Sequence, residues 1–120
     1  MIHEKQTILG QAPSKSNCYR IITTNGHGSL TKTGKLASYE KSFYLQCNVY
    51  RGKLIKGLFA LKINVFNATQ KPDLDNVFKV VLDCLQSCKA ITNDRNCVKI
   101  EAEKFVDKLN PRIEFVIEEV

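Results

Sequence analysis

Residues 58–85 read LFALKINVFNATQKPDLDNVFKVVLDCL, and within this stretch the apolar spacing changes from that of a strand to that of a helix. Every second residue from Phe59 to Val65 is apolar, as in a strand with one buried face. From Leu74 onward, apolar residues recur every three or four positions, which predicts an amphipathic helix. A strand followed by a helix indicates a domain in which helices pack on a sheet.

The same patterns predict further elements on both sides of this stretch. Thr31 or Thr33 can cap a helix with apolar residues from Leu36 to Tyr50, and Arg51-Gly52-Lys53 ends it. We therefore expect one domain, residues 1–120, of mixed α/β or α+β class, with a mixed sheet packed against two main helices. The remaining predicted elements are strands at 19–24, 97–105 and 112–117 and turns at 25–29 and 110–111.

Length and composition limit the class of protein. The chain has 120 residues, of which 43% are hydrophobic and 25% charged, enough for one core and typical of a globular domain. No apolar run approaches the roughly 20 residues that a membrane span needs, so we expect no membrane partner. Residues 1–11 lack the features of a signal peptide, which favours the cytoplasm.

The cysteine pattern argues against a disulfide framework. Five cysteines are an odd number, and without a secretion signal the simplest expectation is reduced thiols packed as small hydrophobic residues. Cys84 and Cys88 are four residues apart, but His3 and His27 lie far upstream. This spacing is a poor match to a structural zinc site.

The charges are divided unevenly along the chain, whose net charge is +6. From Lys5 to Lys71 there are eleven basic residues and one acid, Glu40, whereas residues 72–120 carry ten acids and seven bases. This division suggests that one part binds a polyanion and the other binds something cationic. Ordinary solvated lysines explain the basic part equally well.

Two carboxylates precede the second helix. Pro72 is expected to keep Asp73-Leu74-Asp75 extended, so that both carboxylates point the same way while Leu74 packs inward. Two nearby carboxylates repel unless a cation lies between them, and hard oxygen ligands suit Mg²⁺ or Mn²⁺. The alternative is that both aspartates are ordinary helix caps.

Three further charged residues follow at suggestive positions. Lys79 lies four residues after Asp75, and Asp83 four residues after Lys79, so a helix brings all three to one surface. Asp94 lies in a polar loop that leads into the next strand. The alternative interpretation makes Lys79 and Asp83 an exposed ion pair and Asp94 a turn residue. Short acidic motifs alone do not decide between these interpretations.

These residues together resemble the signature of the RusA family of Holliday-junction resolvases. The family pattern D-x-D-N-x-x-K is similar to Asp73-Leu74-Asp75-Asn76 with Lys79, followed by an aspartate in the same helix and an acidic pair near the next strand. Two upstream segments are also similar to family segments. They are Pro13-Ser14-Lys15-Ser16-Asn17, which looks like the P-S-x-N loop, and Lys32-Thr33-Gly34-Lys35 before a helix.

The resemblance implies a RusA-like fold and a Mg²⁺-dependent endodeoxyribonuclease, with Mn²⁺ as a possible substitute and no small organic cofactor. It implies a homodimer that nicks two opposing strands of a four-way DNA junction. Carried over by position, Asp73, Asp75 and Asp94 bind the metal and Lys79 assists catalysis. Asp83 and Asn76 are expected to orient these groups.

The resemblance also assigns the basic part of the chain to DNA. Lys71 is expected to meet the scissile strand, and the arms of the junction are expected to be held by Lys15, Asn17, Arg20, Lys32 and Lys35, all through phosphate contacts. One residue departs from the family, because Asn93 stands where members often carry a first aspartate. Two alternatives therefore stay open: a nuclease that cuts flaps or forks, and a DNA-binding module without catalysis.

Overall fold

A computed structural model describes residues 3–13, 19–24, 27–32 and 34–120 of the chain, with side chains described in 3–13 and 34–120. Six strands and two helices lie within these ranges. Two short 3₁₀ turns, Leu74–Val77 and Asp94–Asn96, flank the second helix. In chain order the elements are β1 (Gln6–Leu9), β2 (Tyr19–Thr24), β3 (His27–Lys32), α1 (Gly34–Gln46), β4 (Phe59–Asn67), α2 (Phe78–Ser87), β5 (Cys97–Val106) and β6 (Arg112–Glu119).

The main sheet has four strands in the order β1-β6-β4-β5. β4 pairs in parallel with β5, with Ile63 beside Ala102, and antiparallel with β6, with Ile63 beside Phe115. β5 and β6 follow each other in sequence but lie on opposite sides of β4. β2 and β3 form a separate antiparallel hairpin. Because parallel strands cannot be joined by a tight turn, the chain between β4 and β5 must cross the sheet, and it does so through α2.

One hydrophobic core joins both helices to one face of the main sheet. α1 contributes Phe43, whose ring stacks on that of Phe115 in β6 with centroids 6.0 Å apart. The predicted inward face of β4 is confirmed. The expected α+β class, with a mixed sheet and two helices, is confirmed as well. The buried residues of α2 are Val80, Val81, Cys84 and Leu85, and the inward face of β4 buries Phe59, Leu61, Ile63 and Val65.

Two strands were missing from the sequence prediction. The predicted turn at 25–29 is wrong in its second half, because Gly28 and Ser29 belong to β3 and pair with β2. β3 reads HGSLTK and has no apolar alternation to reveal it. β1 was missed because its inward residue Gln6 is polar. Its amide is buried and satisfied by the backbone of Gln46 and Val49, at 3.0 and 2.8 Å.

The start of α2 also differs from expectation. Asp73 is extended, with φ −77° and ψ 141°, but Leu74 and Asp75 lie in a 3₁₀ turn, so the prediction of an extended Asp73-Leu74-Asp75 is wrong. The physical reason is that proline restricts the residue before it, here Lys71, and not those that follow. Asp73 occupies the N-cap position of the turn, yet its side chain makes no capping hydrogen bond.

The thiols that the structure describes lie mostly inside. Cys47, Cys84 and Cys88 are buried in the core, while Cys97 is partly exposed. The expectation that cysteines pack as small hydrophobic residues is therefore confirmed for these three. Cys18 lies outside the described residues.

Both helices are short. α1 has 13 residues and α2 has 10, whereas a helix that spans a bilayer needs about 20 apolar residues. Among the residues described, no helix has the length and apolar character needed to cross a membrane.

Tyr50 provides a test of how the core closes. Its buried hydroxyl donates to the Glu4 carbonyl and accepts the Ile117 N–H at 3.0 Å, beyond the end of the β1–β6 pairing. We predict that Tyr50→Phe lowers the free energy of unfolding by about 1–3 kcal/mol, because a buried N–H loses its acceptor. Urea denaturation measures this. Tyr44→Phe, the same change on a half-exposed ring, should change stability far less, and equal losses would contradict the prediction.

Candidate active site

The predicted site residues lie along the crossover from β4 to β5. Asp73 and Asp75 precede α2, Lys79 lies in its first turn, and Asp94 begins the 3₁₀ turn that leads into β5. α2 buries its apolar face, which leaves Lys79 exposed and Asp83 and Asp94 partly exposed. The crossover therefore carries four exposed or partly exposed aspartates, and Lys79 lies between them in the chain.

Lys79 joins two carboxylates. Its Nζ lies 2.7 Å from Asp94 Oδ2 and 3.0 Å from Asp83 Oδ1. Hydrogen bonds to Asp94 and then Asp83 raise the pKa of Lys79, and the same contact with Lys79 lowers the pKa of Asp94. The ion pair of Lys79 with Asp83, which the simpler interpretation of the sequence included, is thus present together with a second contact to Asp94.

The main chain of the Asp94–Asn96 turn is fixed by two hydrogen bonds to side chains. Gln86 Oε1, on α2, accepts the Asp94 N–H at 2.9 Å. Asn93 is the N-cap of the Asp94–Asn96 turn, and its Oδ1 accepts the Arg95 N–H at 3.0 Å. An aspartate makes the same capping bond as an asparagine. The departure at Asn93 therefore retains the local structure while it removes one negative charge.

Asp73 and Asp75 are placed differently from Asp94. Both are exposed, and no hydrogen bond or ion pair of their carboxylates is found with any residue that the structure describes. The segment before them is held from β5, where Lys104 Nζ donates to the carbonyls of Gln70 and Pro72 at 3.4 and 3.3 Å. Lys104 is next to Val65 in the parallel register of β5 on β4.

The donor set has the chemistry of a magnesium site, since three carboxylates from one surface are the hard oxygen ligands that Mg²⁺ prefers. In the structure, however, these three carboxylates do not lie close together. Within the described part of the chain, no three acidic, histidine or cysteine side chains lie close enough together to hold a metal ion. Asp94 instead directs its carboxylate to Lys79. The metal assignment of Asp73, Asp75 and Asp94 stays a prediction.

The structure describes only some of the residues that are expected to contact DNA. Lys71 is exposed and lies two residues before Asp73. Lys15 and Asn17 lie outside the described residues, and of Arg20 only the backbone is described, in β2. The assignment of these residues to DNA therefore also stays a prediction.

Two residues in this region, Gln86 and Lys104, were not singled out from the sequence. The sequence could have indicated Gln86, because it lies three residues after Asp83 and seven after Lys79, on the same helix face. Nothing in the sequence indicated Lys104. Its contact with the segment before Asp73 depends on the register of β5 on β4, which the sequence of β5 does not specify.

Comparison with known families gives one match. The model of the family described as endodeoxyribonuclease RusA matches residues 19–118, a range that includes Asp73, Asp75, Lys79 and Asp94. The Pro13–Asn17 loop lies just before it. A search of curated proteins found no relative.

The contact between Lys79 and Asp94 predicts a measurable titration. The pKa of Asp94 is lowered, so the ion pair stabilises the folded chain above the ordinary aspartate pKa, and this contribution disappears as pH falls through the lowered value. The contribution is about 0–1 kcal/mol, because the pair is partly exposed. Lys79→Met should return the Asp94 pKa towards its ordinary value in a carboxyl-carbon NMR titration, and Lys79→Arg should keep it low. An unchanged titration in Lys79→Met would contradict the assignment.

Proposed function

The chain belongs to the RusA family of endodeoxyribonucleases, and from this membership we propose that it cuts four-way DNA junctions with two symmetric nicks in a Mg²⁺-dependent reaction. The family implies a nuclease of the Holliday-junction resolvase type, which acts on branched DNA. The metal requirement, the paired nicks and a homodimer are parts of our proposal. Two symmetric nicks need two equivalent sites, and a dimer with two-fold symmetry supplies them.

One observation carries the proposal: the matched range contains Asp73, Asp75, Lys79 and Asp94 on a single exposed crossover. A structural role alone would favour carboxylates with partners that neutralise them. Asp94 has such a partner in Lys79, but Asp73 and Asp75 are exposed on the same crossover and have none among the described residues. Unpaired carboxylates beside a held lysine are suited to a cation that comes from solution.

The aspartates and Lys79 would have different roles in the reaction. Asp73, Asp75 and Asp94 would hold the metal, which when bound activates a water molecule and neutralises charge on the scissile phosphate. Lys79 acts as a cation and not as a base, because its raised pKa keeps the Nζ protonated at neutral pH. Its ammonium can stabilise the negative charge that develops on the phosphate oxygens.

Asp83 has a role that follows from the geometry of Lys79. Lys79 contacts Asp83 at 3.0 Å as well as Asp94 at 2.7 Å. If Asp94 bound the metal, Asp83 would remain a partner of Lys79 and would keep its side chain on the site surface.

The arms of the junction are proposed to be bound through phosphates by the basic residues Lys15, Arg20, Lys32 and Lys35. Such contacts position DNA without reading its sequence. Each should contribute about −0.9 to the slope of log affinity against log salt. Lys71 is the described residue best placed for the scissile strand, because it is exposed and precedes Asp73 by two positions.

A second nuclease function, cutting of flaps or forks, uses the same site and differs only in the DNA that fits. A binding module without catalysis was favoured by Asn93 alone. Because Asn93 caps the Asp94–Asn96 turn as an aspartate would, its presence is explained without loss of activity. We therefore rank the module below both nucleases.

The deciding experiment is cleavage of a synthetic four-way junction, beside linear-duplex and flap controls, with and without Mg²⁺. The proposal expects paired symmetric nicks that are confined to the junction and need the metal. Sedimentation of the protein alone and with junction DNA tests the homodimer. Equal cutting of flaps would favour the broader nuclease. Tight binding without cutting in Mg²⁺ or Mn²⁺ would overturn the catalytic proposal.

Asp75→Asn separates cutting from binding. We predict that cleavage falls more than about 100-fold, because loss of a ligand should cost more than the 10–100-fold typical of residues that only orient ligands. Junction affinity measured without divalent metal should stay equal or rise, because a negative charge near DNA is removed. Glu103→Gln removes one charge from an exposed position on β5 and should keep the cleavage rate. Mg²⁺-dependent cutting by Asp75→Asn at the normal rate would exclude Asp75 as a ligand.

A further inference from the structure

Two side-chain-to-backbone contacts hold the two ends of the crossover on either side of α2. Gln86 accepts the Asp94 N–H at 2.9 Å, and Lys104 donates to the Gln70 and Pro72 carbonyls at 3.4 and 3.3 Å. Neither contact is a backbone hydrogen bond within a helix or strand. Each joins two separate parts of the chain, and one reaches Asp94 while the other reaches the residue before Asp73.

We propose that Gln86 and Lys104 are positioning residues of the active site, Gln86 for Asp94 and Lys104 for the segment that leads into Asp73. The inference rests on the proposed nuclease function. It adds two residues that lie outside the motif from Asp73 to Lys79 and outside the acidic loop. Both act through other residues and not on the substrate.

Gln86 is an exposed residue of α2 whose side chain binds the backbone of the Asp94–Asn96 turn directly. The hydrogen bond from the Asp94 N–H and the cap by Asn93 fix the backbone of the turn. With the backbone held in this way, the Asp94 carboxylate changes partners by rotation of its side chain.

The argument for Lys104 is that it holds an otherwise exposed segment. Gln70, Lys71 and Asp73 are all exposed, and Asp73 makes no capping bond of its own. Lys104 contacts the carbonyls on both sides of Lys71, which fixes the direction in which the chain enters the 3₁₀ turn. An ammonium group is a good donor for this purpose, because charge-assisted hydrogen bonds are stronger than neutral ones.

The test compares removal of each contact with its conservative replacement. Gln86→Leu removes the acceptor, whereas Gln86→Glu keeps an oxygen at the same reach. Lys104→Met removes the donor, whereas Lys104→Arg keeps one. Lys99→Met is the matched control, since Lys99 is an exposed lysine of the same strand that pairs with Glu101 at 2.9 Å.

Three quantities are measured on each full-length variant. They are the Mg²⁺ concentration for half-maximal junction cleavage, the affinity for Mn²⁺ without DNA by electron paramagnetic resonance, and the junction dissociation constant without divalent metal. Gln86→Leu and Lys104→Met should each weaken Mn²⁺ binding and raise the Mg²⁺ requirement by about 10–100-fold. Gln86→Glu, Lys104→Arg and Lys99→Met should stay near the wild type. Thermal unfolding should be unchanged in all five, because the substituted side chains are exposed.

The outcomes separate this inference from the function on which it rests. If the wild type cuts junctions with Mg²⁺ but Gln86→Leu and Lys104→Met keep its metal affinity, the positioning role is overturned and the nuclease proposal stands. If Lys104→Met weakens only junction binding, and does so in a salt-dependent way, Lys104 is a phosphate contact and its positioning role is overturned. If the wild type neither binds Mn²⁺ nor cuts, the proposed function fails and this inference fails with it.

Discussion

The parallel pairing of β4 with β5 is the constraint on which the site depends. Parallel neighbours need a crossover connection, and here the crossover is the 3₁₀ turn and α2, packed on the sheet through Val81 and Leu85. Because the apolar face of α2 packs in the core, its polar face lies outward. Asp73 and Asp75 come before the helix and Asp94 after it. Asp94 is therefore at the other end of α2 in the chain from Asp73 and Asp75, and among the described residues these three carboxylates do not form one close group.

Lys79 contacts two of the carboxylates on the crossover, Asp83 and Asp94, and these contacts determine the charge of that part of the surface. Asp83 and Asp94 would repel each other without a cation between them, and the ammonium of Lys79 lies within 3.0 Å of both. Asp83 and Asp94 thus share one positive charge, whereas Asp73 and Asp75 have no base beside them among the described residues. Under the proposed function, a divalent cation bound by Asp73 and Asp75 would carry twice the charge of the ammonium and would compete with Lys79 for Asp94.

The sequence predicted those elements whose apolar spacing matched their burial. β4 and α2 were found because each places its apolar residues on one buried face. β5 alternates as predicted but pairs only with β4 at the edge of the sheet, so Val98 and Phe105 remain exposed. β1 was missed because hydrogen bonds, and not apolar character, bury Gln6. The same holds for the site. The sequence could indicate contacts between residues on one helix face, but not the contact of Lys104, which depends on the register of β5 on β4.

The structure also explains the division of charge along the chain. The acidic second part suggested a cationic partner, yet most of its carboxylates pair with bases of the protein itself. Lys62 of β4 lies 2.9 Å from Glu118, and Arg112 lies 2.8 Å from both Asp107 and Glu114. These ion pairs lie within the protein, and a partner would have to break them. Asp73 and Asp75 have no such base among the described residues and are only two positions apart, so under the proposed function the start of α2 is where an added cation would meet two carboxylates that no described base holds.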